Sequence, residues 1–172
     1  IPAATGETRL THPTIRPIAT PLADALTQLG ATAQAMDSFT LYTIPAAGVQ
    51  ALRDRDGEET AVFNDELRLL ATEEKADSLL TYWEVMAQPT GERRFFVHWL
   101  DADGTIIAQA DGLDAPAQQW QVGDLLIQIN TPPSPTNAAT IRLGVYDPTT
   151  CETGACQNLQ LEDGAGFLLI DR

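Results

Sequence analysis

From residue 61 onward, apolar and polar positions fall into short runs separated by turn residues. Strand-like segments read at 61–72, 78–88, 94–101, 105–111, 125–130, 139–146 and 165–170. Turn signals divide them: Gln-Pro-Thr-Gly at 88–91, Asp-Ala-Asp-Gly at 101–104, Thr-Pro-Pro-Ser-Pro at 131–135 and Asp-Pro at 147–148. Short strands at this spacing predict an antiparallel β-sandwich, of the jelly-roll or carbohydrate-binding-module type. Alternation assigns faces. Leu125, Ile127 and Ile129 are expected inside, with Gln128 and Asn130 in water. Ile141, Leu143 and Val145 are likewise expected inside, with Arg142, Gly144 and Tyr146 outside. The run Phe95–Leu100 is apolar on both parities, which predicts a central strand covered on both sides.

The first part of the chain has another rhythm. Residues 1–18 are rich in Pro and Thr and read as irregular. Thr20-Pro21 reads as a helix start, with Thr20 as N-cap; Leu22, Ala25, Leu26 and Leu29 follow at helical spacing and Gly30 is the stop. A strand is expected over 39–44, halted by Pro45, and a weak helix over 46–52. Residues 1–53 therefore read as a helix-strand lead-in too small to bury a core alone, and residues 61–172 as the sandwich domain. The charged, Gly-containing stretch 53–60 separates them.

Composition narrows the partners. The 172 residues carry a formal net charge of −14, 44% apolar and 20% charged residues, which is globular composition. So acidic a surface disfavours phosphate backbones and anionic lipid, so neither nucleic acid nor a membrane surface is an expected partner. No apolar run is long enough to span a bilayer. The opening Ile-Pro-Ala-Ala-Thr-Gly reads as a cut inside a longer protein, in which case targeting elements and any membrane anchor would lie outside this chain. Cys151 and Cys156 enclose four residues with a glycine, a loop that a disulfide could close. Such a bond implies an oxidising compartment and contributes about 2 kcal/mol through chain entropy. Free thiols are the alternative.

Candidate chemistry is sparse. Asp101-Ala-Asp103-Gly104 opens like a calcium loop, and Asp111 and Asp114 could add ligands, but Gly112 stands where an EF-hand needs a bidentate Glu. A hairpin turn fits the flanking strands better. His98 lies in a strand pattern and reads as a hydrogen-bonded core or interface histidine; His12 is expected in solvent. No nucleophile elbow, phosphate loop or dinucleotide fingerprint is present, so no catalytic residue and no cofactor is expected. Sugar binding needs aromatic faces with polar neighbours. Trp120, in a polar loop, Tyr146, on a wet parity, and Tyr82 are the candidates. Tyr82 and Trp83 point to opposite faces, so at most one is expected in the core.

Five stretches in order carry a family resemblance: Phe-Asn-Asp-Glu-Leu-Arg-Leu-Leu at 63–70, Leu-Leu-Thr-Tyr-Trp-Glu-Val at 79–85, Phe-Phe-Val-His-Trp-Leu-Asp-Ala-Asp-Gly at 95–104, Ala-Gln-Ala-Asp-Gly at 108–112 and Leu-Gly-Val-Tyr-Asp-Pro at 143–148. Together they resemble the C-terminal domain that follows the membrane helices in large bacterial glycosyltransferase-like proteins of the dolichyl-phosphate-mannose–protein mannosyltransferase type. Asn64 departs from that pattern, where Gly is usual, as does Ala71-Thr72, and the cysteine loop is no part of it. The resemblance implies an extracytoplasmic β-sandwich whose parent's catalytic acid lies outside this chain. The expectation is a non-catalytic accessory or interaction domain facing glycan or a protein neighbour. A ligand-free spacer is the alternative, and a glycosidase a lesser one.

Overall fold

The computed structural model describes residues 8–13, 18–35, 39–54, 60–76, 78–112, 116–131, 135–152 and 155–172. The chain forms two compact units, Ile1–Asp56 and Gly57–Arg172. Most of the charged connector, 55–59, lies outside the described residues, as do 14–17 and 132–134.

The first unit contains more sheet than its sequence signals. Strands β1 (Thr8–Pro13), β2 (Thr32–Ala35) and β3 (Phe39–Ile44) make an antiparallel sheet in the order β1-β3-β2. Helix α1 (Thr20–Gln28) is capped by Ala19, so Thr20 is its first residue and Pro21 its second, one position later than the sequence reading placed them. Its end follows the sequence. Gly30 adopts φ 70°, and the Gly30 and Ala31 amides donate to the carbonyls of Thr27 and Leu26, the paired bonds that close a helix C-terminus. Helix α2 (Ala46–Arg53) starts directly after Pro45. Ala25, Leu26, Leu29, Ile44, Val49 and Leu52 are all buried.

The second unit is the sandwich. Strands β4 (Ala61–Phe63), β5 (Leu67–Glu74), β6 (Leu79–Val85) and β9 (Leu125–Asn130) form one antiparallel sheet, in the order β4-β5-β6-β9. The other contains β7 (Arg94–Leu100), β8 (Ile106–Asp111), β10 (Thr140–Glu152), β11 (Ala155–Asn158) and β12 (Leu168–Asp171). Its order is β11-β10-β7-β8, with β12 also paired to β10. The core joins Phe63, Leu67, Leu69, Leu79, Trp83 and Val85 from the first sheet to Phe95, Val97, Trp99, Ile141, Leu143 and Val145 from the second. Rings run through it in sequence: Phe63–Trp83 at 5.6 Å, Trp83–Phe95 at 4.6 Å and Phe95–Trp120 at 5.9 Å.

Several expectations are corrected here. The segment 61–72 is two strands, because Asn64 and Asp65 take φ 49° and 55° and the Glu66 amide bonds the Phe63 carbonyl, making a tight hairpin turn. Asn and Asp tolerate this left-handed conformation best among residues with a Cβ. Strand β10 continues past Asp147-Pro148 and absorbs the proline in a bulge against β11. The inward parity of β9 is the reverse of that expected. Leu126 pairs with Trp83, which puts Gln128 and Asn130 on the inner side, 8% and 1% exposed. The register with β6 overrides the alternation. The buried amide nitrogens find acceptors, Asn130 Nδ2 donating to the Leu79 carbonyl at 3.0 Å and Gln128 Nε2 to the Gly112 carbonyl at 2.5 Å, while Gln128 Oε1 and Asn130 Oδ1 have no donor among the described residues. Finally, Tyr82 and Trp83 are both buried, at 2% and 1% exposure.

Candidate functional site

The described carboxylates of the lesser, metal-binding reading, Asp101, Asp103 and Asp111, form no cluster. Asp101 Oδ1 accepts the amides of Asp103, at 3.0 Å, and Thr105, at 2.9 Å, so it closes the β7–β8 hairpin. Asp111 pairs with Phe96 at the far end of β8, roughly 16 Å along the ladder from Asp101. Asp114 lies outside the described residues. No group of three or more metal-binding side chains occurs among the described residues.

Two of the three aromatic candidates lose their exposed faces. Trp120 follows a single 3-10 turn (Ala117–Gln119) and packs into the core at 3% exposure against Phe95. The polar neighbours Gln118 and Gln119 point its sequence toward solvent, yet the chain turns the ring inward. Tyr82 is buried, and its hydroxyl donates to Glu73 at 2.9 Å.

Tyr146 is different. On β10, residues Ile141, Leu143 and Val145 face the core, so Arg142, Gly144 and Tyr146 line the opposite face of the five-stranded sheet. The register sets Arg142 beside His98 and Gln109, and Gly144 beside Phe96 and Asp111. The Phe96 ring lies over Gly144. A Cβ there would meet the ring at 2.6 Å and the Gly166 carbonyl at 3.0 Å, so this close approach requires glycine. Around Phe96 stand His98, with ring centroids 4.9 Å apart, and Tyr146, at 6.3 Å. Arg142 lies over the Phe167 ring at 5.3 Å and hydrogen-bonds His98 Nδ1 at 2.9 Å. Arg142, His98, Tyr146 and Phe167 are half-buried. Sequence reasoning found Tyr146 and treated His98 singly. It missed Arg142 and Phe167, although parity already placed Arg142 on the face of Tyr146.

The electrostatics follow from that geometry. Burial, then the neighbouring Arg142 charge, push the His98 pKa below its ordinary value, while Asp111 pulls the other way. A neutral His98 offers Nδ1 as the acceptor for the guanidinium. Burial, with Asp111 adding to it, raises the Tyr146 pKa, so its hydroxyl stays protonated. Among the described residues, the Tyr146 hydroxyl and His98 Nε2 make no protein hydrogen bond, and Arg142 bonds His98 alone. The strip thus combines aromatic surface with a hydroxyl, an imidazole nitrogen and guanidinium protons that have no acceptor among the described residues.

Other features are structural in character. Glu66 and Arg93 make a buried two-point ion pair, with contacts of 2.5 and 2.8 Å, and Arg93 also reaches Asp147 at 3.4 Å. A depression of about 490 Å³ beside the β4–β5 turn is lined by Val62, Asn64, Asp65, Met86, Gln160, Leu161 and Glu162, with neither a ring nor a cation. Cys151 and Cys156 stand at disulfide distance in the β10–β11 hairpin, with Sγ atoms 2.00 Å apart. No helix among the described residues is long and apolar enough to cross a membrane. No protein-family model matches the chain, and no curated protein does.

Proposed function

We propose that this chain is a non-catalytic extracytoplasmic interaction domain that meets carbohydrate on the outer face of its five-stranded sheet. The observation carrying this reading is the strip of Tyr146, His98 and Arg142 around Phe96, whose polar groups have, among the described residues, no protein partner beyond the Arg142–His98 bond. Sugars are bound by aromatic faces against their C–H surfaces and by a few directed hydrogen bonds, and the strip supplies both. Among the described residues it presents one carboxylate, Asp111, where glycoside hydrolysis uses a pair, which favours binding without chemistry.

The cysteine pair supports the compartment, and the resemblance across 63–148 supports a parent of the membrane glycosyltransferase-like type. Titration of the purified chain with a panel of neutral and acidic oligosaccharides, followed by the amide and ring NMR signals of Tyr146 and His98, tests the function. Shifts confined to this strip are expected. Silence across the panel transfers the reading to a ligand-free spacer or assembly module, which the burial of Trp120 and Tyr82 favours. For the compartment, intact mass should gain two thiol labels only after reduction. Labelling of unreduced protein would remove the disulfide argument.

A further inference from the structure

Among the described residues, the Arg142 guanidinium has no carboxylate partner, in a chain of net charge −14. Its one hydrogen-bond partner among the described residues is His98, its Nε is buried without an acceptor, and its plane lies over Phe167. Among the described residues of the sandwich, Arg93 takes Glu66 and Asp147, Arg68 takes Glu84 and Arg172 takes Glu74, so acids are within reach of other arginines. A half-buried cation without a counter-charge costs free energy that an incoming anion would recover. Spare Nη protons remain after the single bond to His98, and a guanidinium can present two parallel N–H groups to a planar oxyanion.

We propose, on the basis of the carbohydrate reading above, that the ligand is an acidic oligosaccharide whose carboxylate is taken by Arg142 while its rings lie along the strip toward Tyr146. Arg142 and Tyr146 are four positions apart on β10, about 13 Å, which suits a chain of sugars better than a single ring. Asp111 is two residues along the ladder from the Arg142 row and two strands away, roughly 12 Å. From there it repels an acidic group placed over Phe96 and accepts sugar hydroxyls instead, which fixes the direction in which the ligand lies. Gln109, in the Arg142–His98 row, adds an amide at the edge strand.

The test uses the whole chain and matched probes: trigalacturonate, a hyaluronan hexasaccharide and sialyllactose, each beside its carboxyl-reduced counterpart. A sulfated chondroitin hexasaccharide distinguishes sulfate from carboxylate as the oxyanion. Carboxyl reduction is expected to weaken binding about ten- to a hundredfold, and Arg142→Gln to produce the same loss for the acidic form alone. Equal affinity for acidic and reduced forms overturns the assignment of an anionic ligand and leaves the carbohydrate reading standing. Binding to none of the probes overturns both. Preference for sulfate over every carboxylate overturns the carboxylate. The reduced ligands need no variant, so the outcome holds even if Arg142→Gln fails to fold, which its circular dichroism melt reports.

Discussion

Arg93 and Arg142 sit in opposite conditions on one sheet. Arg93, immediately before β7, is 8% exposed and fully engaged, paired at two points with Glu66, bonded to the Glu92 carbonyl and close to Asp147. The Glu66 hydrogen bond holds it firmly protonated against the cost of burial. Its partners join both sheets: Glu66 precedes β5 and its carbonyl accepts the Met86 and Ala87 amides, whereas Asp147 belongs to β10. Arg142 has an aromatic floor and a neutral imidazole. The same side chain thus serves as a sealed clamp in one place and as an unsatisfied donor in the other. A buried cation whose partners are complete inside the fold is structural; one with spare donors is the group that the proposed acidic ligand would engage.

The largest expected effect comes from opening the clamp. Glu66→Ala leaves a buried guanidinium short of its main partner and should cost about 3–5 kcal/mol in urea unfolding. Replacing both members by Leu and Met should restore most of that loss; a double variant as unstable as the single one would mean that the pair is more than a buried charge and its counter-charge. Next is Gly144→Ala, which forces the Phe96 ring off β10 and should cost about 1–3 kcal/mol while abolishing the Phe96-dependent shifts of His98. A wild-type melt for this variant would show that the ring is not held as described. Arg142→Gln should change stability by less than about 1 kcal/mol, in contrast with Glu66→Ala. A large loss would make Arg142 a second clamp and erase the comparison.

Two pH effects are smaller and share a sign, because both pKa values are lowered in the folded chain, but they fall in different pH ranges. The Asp147 pKa is lowered, first by the Thr149 hydroxyl, so its contribution is present above about 3.8 and is lost as pH falls through the depressed folded value. For His98 the unfolded chain binds the proton first, so stability should decline as pH drops below about 6.5 and level off beneath the lowered folded value. Arg142→Gln should move the His98 midpoint up and Asp111→Asn should move it down, as read by the imidazole NMR signals. Unchanged midpoints would show that the three groups are not coupled.

Much of the sandwich was legible because strand identity is local. Turn residues and apolar runs placed β6 to β9 and the start of β10 within a few residues, and the alternation of β10 assigned its two faces correctly. Strands β1 and β2 were not legible: short, Thr- and Ala-rich edge strands owe their existence to pairing with β3 rather than to their own pattern. The Asn64-Asp65 turn could have been read, since two residues tolerant of positive φ between apolar runs are a hairpin signal.

The sequence by itself determined that the chain is mainly β, where most turns fall, and that Arg142 and Tyr146 share a face of their strand, because these depend on neighbours along the backbone. Tertiary structure decided what no local rule contains. Register against β6 turned Gln128 and Asn130 inward and left Leu125, Ile127 and Ile129 on the other side. Packing drew Trp120 and Tyr82 out of solvent. Pairing of β10 with β7 brought Arg142 to His98 across 44 residues of sequence. Side-chain partners are chosen across strands, and cross-strand register is a property of the whole sheet.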